Sequence, residues 1–476
     1  MNTSTKRIEN DKSFDTNLKF IDEISSQNKF KVELVKDREI DTFLIREKEA
    51  FLLQINARFI EDEDNNYELS FIFNEITYKT KKIGSTSKHT NFKADKSVNF
   101  ETTIELNRFQ SENFEQYGFY KTYFQTELKE INTFHREFET VTHQRQGTEY
   151  FYDCIRISLN EKEYDVTQLK HNDKGFYVFE CLQEQSYDEF SKVCFSIQQA
   201  IGFINKLMVG GEKFTFDDKG NCCYSNYIGP TLKGMYSPIT ANPYSYPDIE
   251  KDVADYYSNN LTRITLANFS SLVYKIHTEP EFSASILVIL EATSIRSLLI
   301  IPSSFAIIIE QLSKHLSIEE TGLEKPIDDR NLACKIIDEL HKVIDDNAET
   351  LSETNLLKLK RRLKEINKPI NKKHLTNNEK LTRPFEQLGI RLTLHDITII
   401  EHRNDLLHGN ILLDNEKIKD EEKTNLYLTY VSAKLFTLIS KLILKSIGYD
   451  GYVYNQAKYL EKHMNIKTDE EYFEKI

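Results

Sequence analysis

The residues best suited to chemistry lie in the segment RNDLLHG, residues 403–409. Apolar residues recur at helical spacing before it, so we predict one helix from Leu392 to His408. Around a regular helix Arg403 and His408 lie about 140° apart, whereas Asn404 and His408 share a face. A helix C-terminus favours a protonated imidazole, and a histidine that titrates near neutral pH can transfer protons to ribose and phosphate oxygens. A guanidinium can stabilise charge that develops on phosphorus. The pair is therefore suited to RNA cleavage without a metal, with the ribose 2′-hydroxyl as nucleophile.

The same spacing also fits a purely structural role. An arginine and a histidine before Gly409 can cap the last carbonyl groups of a helix without any catalysis. Spacing alone leaves both interpretations open.

The segment resembles the Arg-x4-6-His motif of the HEPN superfamily of helical ribonucleases, in which a polar residue commonly follows the arginine. A β-rich N-terminal part with a helical C-terminal part resembles the ApeA-type anti-phage defence proteins of that superfamily. The resemblance implies that Arg403 stabilises the phosphate and that His408 is the acid and base. It implies that Asn404 orients the imidazole or contacts the substrate, with Asp405 as a less certain supporting residue.

The resemblance also implies how the protein would work. Two copies of the motif face each other in a composite cleft, and because this chain has one motif, it would act as a homodimer through its helical region. Cleavage needs no metal and no cofactor and leaves a 2′,3′-cyclic phosphate. The purpose would be abortive infection, with tRNA or another cellular RNA as substrate and a phage-derived component as trigger for the β-rich domain.

A basic tract before the motif is a candidate RNA-binding surface. Eight cations fall within 16 residues of a chain whose net charge is −13, so a local patch rather than the whole protein would contact a polyanion. The alternative is a solvated helix face. The cations are Lys358, Lys360, Arg361, Arg362, Lys364, Lys368, Lys372 and Lys373.

Two charges interrupt the most apolar stretch of the chain, Ile286 to Ile309. We expect Glu291 and Arg296 to be buried and therefore paired, because an isolated buried charge is costly. The pair would be structural, or Glu291 would support the Arg403 segment from an earlier helix.

The composition indicates a cytoplasmic protein without a membrane span. The N-terminus lacks the apolar core of a signal peptide, and the run from Ile286 to Ile309 is too interrupted to cross a bilayer. The six cysteines form no CxxC pair and no histidine lies at zinc spacing from them, so we predict reduced thiols and no metal site.

The predicted fold class is α+β with two domains. Residues 1–228 would form a β-rich, antiparallel sandwich or barrel-like sensor domain with a late helix over 187–208, because short aromatic and β-branched runs alternate with polar breaks. Residues 229–247, which contain four of the nine prolines, would form a linker. Residues 248–476 would form an all-α, HEPN-like bundle, in which Glu421 to Ser446 has the clearest apolar stripe.

A second function fits the same organisation. The helical region could be a non-catalytic dimerisation or RNA-binding module, with a β-rich domain that senses a ligand or a protein.

Overall fold

The computed structural model describes most of the chain. The described residues are 13–26, 28–35, 40–48, 50–56, 69–82, 86–92, 98–131, 134–145, 149–226, 229–318, 327, 329–350, 355–360, 377–402, 421–464 and 470–476.

Strands dominate the N-terminal region, as predicted. Their bounds are β1 Lys29–Leu34, β2 Thr42–Glu47, β3 Ala50–Ile55, β4 Ser70–Phe73, β5 Ile76–Lys82, β6 Thr86–Phe92, β7 Val98–Leu106, β8 Arg108–Ser111, β9 Tyr117–Gly118, β10 Tyr120–Glu127, β11 Val141–Arg145, β12 Glu149–Leu159, β13 Lys162–His171, β14 Lys174–Cys181, β15 Gln185–Ser186, β16 Leu207–Met208, β17 Lys213–Asp217, β18 Cys222–Ser225 and β19 Leu232–Lys233. Two further strands, β20 Tyr452–Tyr454 and β21 Phe473–Lys475, form a two-stranded antiparallel sheet within the helical region, which was predicted to be all-α.

Fifteen of these strands share one continuous antiparallel order. It runs β11-β12-β13-β14-β10-β17-β18-β8-β5-β4-β1-β2-β3-β7-β6. Alternation explains the burial: in β3, Phe51, Leu53 and Ile55 are buried while the residues between them are partly exposed. The N-terminal helix α1, Ser13–Ser26, packs Phe14, Leu18 and other apolar side chains into the core on this side of the sheet.

Helices dominate the C-terminal region, which confirms the α+β class with a β-rich part followed by a helical part. The remaining helices are α2 Phe134–Glu137, α3 Tyr187–Asn205, α4 Lys251–Ser258, α5 Leu266–Thr278, α6 Pro280–Ile295, α7 Ile300–Leu316, α8 Arg330–Asp346, α9 Asn377–Gln387, α10 Leu394–Glu401, α11 Glu421–Ser446 and α12 Glu461–Met464. Residues 355–360 are also helical.

The late helix of the β-rich region, α3, is shorter than the predicted 187–208. Ser186 caps its start, and it ends at Asn205 because Lys206 adopts a left-handed conformation with a φ of 71°. Leu207 and Met208 then leave the helix and pair with β19. The helix therefore ends three residues earlier than predicted.

One hydrophobic core extends from α3 across the segment 229–247 into the helical region. It joins α3 side chains such as Phe203 to Leu290 of α6 and Phe436 of α11, and Ile239 within the segment is fully buried. The division into domains at 228 and 248 stays a prediction, and the described residues between those positions are packed against both regions.

Helix α11, the longest among the described residues, lies at the centre of the helical region. The predicted apolar stripe is buried, from Leu428 through Leu442. Among the described residues, α11 is long and apolar enough to cross a bilayer by length and composition, yet 83% of that apolar window is buried inside the protein. Core helices pass the same test, so this finding is weak evidence for a membrane span.

The close approach of α3 to α6 depends on Gly202. A Cβ atom there would lie 2.7 Å from Met208 Cβ and 3.1 Å from Leu290 Cδ1. We expect Gly202→Ala to lower the free energy of unfolding by about 1–3 kcal/mol through overpacking, although alanine is the better helix former. Chemical denaturation measures this. Gly118→Ala is the control, because its nearest neighbour would be 3.6 Å away; equal effects of the two substitutions would contradict the packing argument.

Candidate active site

The catalytic residues predicted from the sequence lie directly after α10. Helix α10 ends at Glu401, and His402, which is exposed, follows as its C-cap with its N–H donated to Thr398 O at 3.1 Å. Arg403, Asn404, Asp405 and His408 lie outside the described residues. The predicted helix from Leu392 to His408 is therefore described from Leu394 to Glu401, and its continuation stays a prediction.

The start of α10 is held by a reciprocal capping arrangement. The Asp396 backbone N–H donates to Thr393 Oγ1 at 3.1 Å, and the Thr393 backbone N–H donates to Asp396 Oδ2 at 2.9 Å. Two orphan donors of the helix N-terminus are satisfied by one pair of side chains. The first turn of the helix that leads to Arg403 is thereby fixed.

Asp396 also anchors α10 to α11 through a buried ion pair. Its carboxylate lies 2.9 Å from Lys434 Nζ, and both side chains are fully buried. Lys434 also donates to Glu470, whose Oε2 accepts from Asn455 Nδ2 at 3.1 Å. A buried charge is tolerated only when it is paired and hydrogen-bonded, and here one ammonium group serves two carboxylates.

The pKa values of this group follow from that pairing. Burial alone would raise the pKa of Asp396, but the attraction of Lys434 lowers it below its usual value. Burial would likewise lower the pKa of Lys434, but Asp396 and Glu470 raise it. Asp396 and Lys434 are therefore both charged near neutral pH, and their contacts with each other and with Glu470 join α10, α11 and the chain before β21.

A second contact between α10 and α11 uses His395. Its Nε2 lies 2.8 Å from the hydroxyl of Tyr430. Burial, followed by the charge of Lys434, lowers the pKa of His395 below the ordinary value of 6.5. The folded protein thus disfavours the imidazolium form.

This histidine makes stability depend on pH. Above 6.5 it is neutral in both states, whereas below 6.5 the unfolded chain binds a proton that the folded chain resists, so stability is lost as the pH falls. We expect the unfolding free energy to drop between about pH 7 and pH 5, and His395→Asn to flatten that slope; urea denaturation across a pH series measures it. Thr398→Ala, at an exposed position of the same helix that carries no ionisable group, should leave the slope unchanged. An unaltered slope in His395→Asn would refute this assignment.

A cavity of about 1330 Å³ opens beside the first turn of α10. It lies between α4, α10 and the β20–β21 sheet. Its lining mixes aromatic, acidic and basic side chains, so it is not a uniformly basic groove that would bind a polyanion. At its wall the buried Lys441 is paired with Glu474 at 2.5 Å. The lining includes Asp252, Tyr256, Tyr257, Arg391, Leu394, His395, Ile397, Lys441, Tyr452, Glu471, Phe473, Glu474 and Lys475.

Only the beginning of the basic tract is described. Lys358 is exposed, and Lys360 forms an ion pair with Asp345 of α8 at 2.5 Å, so part of the charge of Lys360 is already neutralised. Arg361, Arg362, Lys364, Lys368, Lys372 and Lys373 lie outside the described residues. RNA contact by this tract stays a prediction.

The expected burial of Glu291 and Arg296 is wrong. Both side chains are exposed, and Arg296 is the left-handed C-cap of α6 with a φ of 57°. Glu291 lies on a narrow solvent-facing stripe of α6, so it needs no buried partner. Because Arg403 lies outside the described residues, the role of Glu291 as a support for that segment stays a prediction.

The supporting charges that sequence reasoning missed are Asp396, Lys434 and Glu470. A signal did exist, because Lys434 and Lys441 interrupt the apolar face of the best-defined helix. Among the described residues no cluster of three histidine, cysteine or acidic side chains is arranged to hold a metal ion, and the six cysteines are free thiols.

Comparisons with protein-family models, with curated proteins and with solved structures find no significant match for this chain.

Proposed function

We propose that this chain is a metal-independent endoribonuclease of the HEPN type that acts in anti-phage defence by abortive infection. The observation that carries the proposal is the Arg403-Asn404-x3-His408 spacing. The described surroundings support it: a short helix, anchored at its first turn, leads directly to Arg403, and the long core helix α11 follows. Under this proposal the helical region is a HEPN-like bundle, and the β-rich region is a sandwich or barrel-like sensor.

The proposed reaction uses the substrate's own nucleophile. The ribose 2′-hydroxyl loses its proton and attacks the adjacent phosphorus, and the bond to the 5′-oxygen breaks as that oxygen gains a proton. His408 carries out the proton transfers, and Arg403 stabilises the negative charge on the phosphorane. Asn404 orients the imidazole. The products are a 2′,3′-cyclic phosphate and a 5′-hydroxyl.

The proposed assembly is a homodimer in the cytoplasm. One chain has one motif, so two chains would be needed to form a composite cleft. The basic tract from Lys358 to Lys373 would guide the RNA backbone toward it, because phosphate contacts dominate nucleic-acid affinity. A phage-derived component, recognised by the β-rich region, would be the trigger.

The decisive experiment is cleavage of total cellular RNA and of tRNA by the purified full-length protein in buffer with EDTA. We expect defined fragments that end in 2′,3′-cyclic phosphate, and we expect growth arrest with phage protection when the chain is expressed in infected cells. Fragments that require added metal, or that end in a 3′-hydroxyl, would refute the mechanism. RNA binding or dimerisation without cleavage would support a non-catalytic module instead.

A further inference from the structure

The β-rich region contains two neighbouring inward-facing cations, Lys213 on β17 and Arg108 on β8. Both pair in register with Ser225 of the intervening strand β18, so the three side chains lie on one face of the sheet. That face is covered by the first turns of α3, where Lys213 Nζ donates to Ser191 Oγ at 2.8 Å. Lys213 is only 7% exposed.

Lys213 differs from the other buried lysines of the described residues. Each of the others has a carboxylate within ion-pair distance, whereas neither Lys213 nor the half-buried Arg108 forms an ion pair with a described carboxylate. Arg108 lies over the ring of Tyr187, and its Nε is buried without a hydrogen-bond partner among the described atoms. The paired buried lysines are Lys121 with Glu180, Lys434 with Asp396 and Lys441 with Glu474.

The neighbouring Cys194 and Tyr187 do not supply a negative charge. Burial raises the pKa of the Cys194 thiol and of the Tyr187 hydroxyl, so both are neutral near pH 7. Burial would lower the pKa of Arg108, but Cys223 above all, with a smaller contribution from the exposed Asp188, raises it. Burial lowers the pKa of Lys213, and the charge of Arg108 adds to that effect. Two like charges therefore share a low-dielectric site, which is costly unless an anion joins them.

We propose that Lys213 and Arg108 form a binding site for the phosphate group of a small molecule. Two strand spacings separate their backbones by about 10 Å, so both side chains can converge on one tetrahedral anion. The planar guanidinium matches two phosphate oxygens, the ammonium group adds a point charge, and Ser191 adds a hydroxyl. Arg108 and Ser191 are half-buried, so both side chains keep some contact with solvent. No residue of this site belongs to the proposed nuclease motif, so the two proposals stand independently.

Thermal unfolding of the full-length protein tests binding directly. We expect inorganic phosphate to raise the Tm of the wild type saturably, by about 2–4 °C, beyond sodium chloride of equal ionic strength. AMP that acts at lower concentration than phosphate, with adenosine inactive, would identify a nucleotide-borne phosphate as the ligand. Equal potency of phosphate and AMP would identify free phosphate. The absence of a saturable shift with either would overturn the proposal.

A buried charge kept for a ligand should weaken the unliganded fold. We therefore expect Lys213→Met, without ligand, to be at least as stable as the wild type and to lose the phosphate shift. Lys121→Met is the matched control, because it leaves Glu180 unpaired on a nearby strand and should lower the Tm while keeping the phosphate shift. Lys219→Met, at an exposed ion pair with Glu115, should change neither property. A fall in Tm for Lys213→Met like that for Lys121→Met, with its phosphate shift retained, would show that Lys213 is structural.

Discussion

Replacing His408 by alanine is expected to lower the rate of RNA cleavage by about 10²–10⁴-fold, because proton transfer by a positioned side chain contributes that much. Replacing Arg403 by alanine is expected to cost about 10²–10³-fold, because the phosphorane would lose its main charge stabilisation. Single-turnover cleavage of a defined RNA measures both effects. In cells, each substitution should also remove growth arrest and phage protection.

The control for this pair is His402→Ala, one residue before the motif on the exposed end of α10. It should cleave at the wild-type rate. All three variants should share the wild-type unfolding midpoint, so that a loss of rate cannot be a loss of fold. Cleavage at the wild-type rate by His408→Ala would reject His408 as the acid and base. A loss of rate in His402→Ala as large as that in Arg403→Ala would show that the catalytic residues are assigned wrongly.

Replacing Lys434 by alanine is expected to lower the free energy of unfolding by about 3–5 kcal/mol. Asp396 and Glu470 would then be left as buried carboxylates with no ammonium group between them. The loss should be larger than that caused by truncating an exposed lysine. Chemical denaturation measures it. The start of α10 should loosen at the same time, which hydrogen exchange at Asp396 and Ile397 would report as faster exchange.

Lys462→Ala provides the matched control, because Lys462 forms an ion pair of similar length with Asp248 on the exposed surface. Exposed pairs contribute little, so this variant should unfold almost as the wild type does. A triple variant that combines Lys434→Met with Asp396→Asn and Glu470→Gln should recover part of the loss, since no unpaired charge remains. Equal destabilisation by Lys434→Ala and Lys462→Ala would disprove the account of a buried network.

Hydrophobic periodicity predicted those helices and strands that pack against the core with only one face. Helix α11 was predicted at its observed bounds because its apolar stripe is long. The expected burial of Glu291 on α6 was wrong because this helix also has a face that does not meet the core. Exposed positions recur there at Glu281, Val288, Glu291 and Ile295, so a nearly continuous apolar run still has one solvent-facing stripe.

The contacts that anchor the candidate site could not be read from spacing. Lys434 and its partner Glu470 are 36 residues apart, and Asp396 comes from another helix, so only tertiary packing brings the three together. The end of α3 was missed because a lysine, not a glycine, adopts the left-handed conformation there. The β20–β21 sheet was missed because each strand is only three residues long.

The buried lysines of α11 determine when this helix can be buried as the chain is synthesised. Lys434 and Lys441 precede their carboxylate partners Glu470 and Glu474 by 36 and 33 residues. At about 5–20 residues per second, the ribosome delivers those partners roughly 2–7 s after the lysines. During that interval α11 carries unpaired positive charge on a surface that is buried in the folded protein. The helical core can therefore close only after Glu470 and Glu474 have been synthesised, and until then the nascent chain exposes α11 to chaperones.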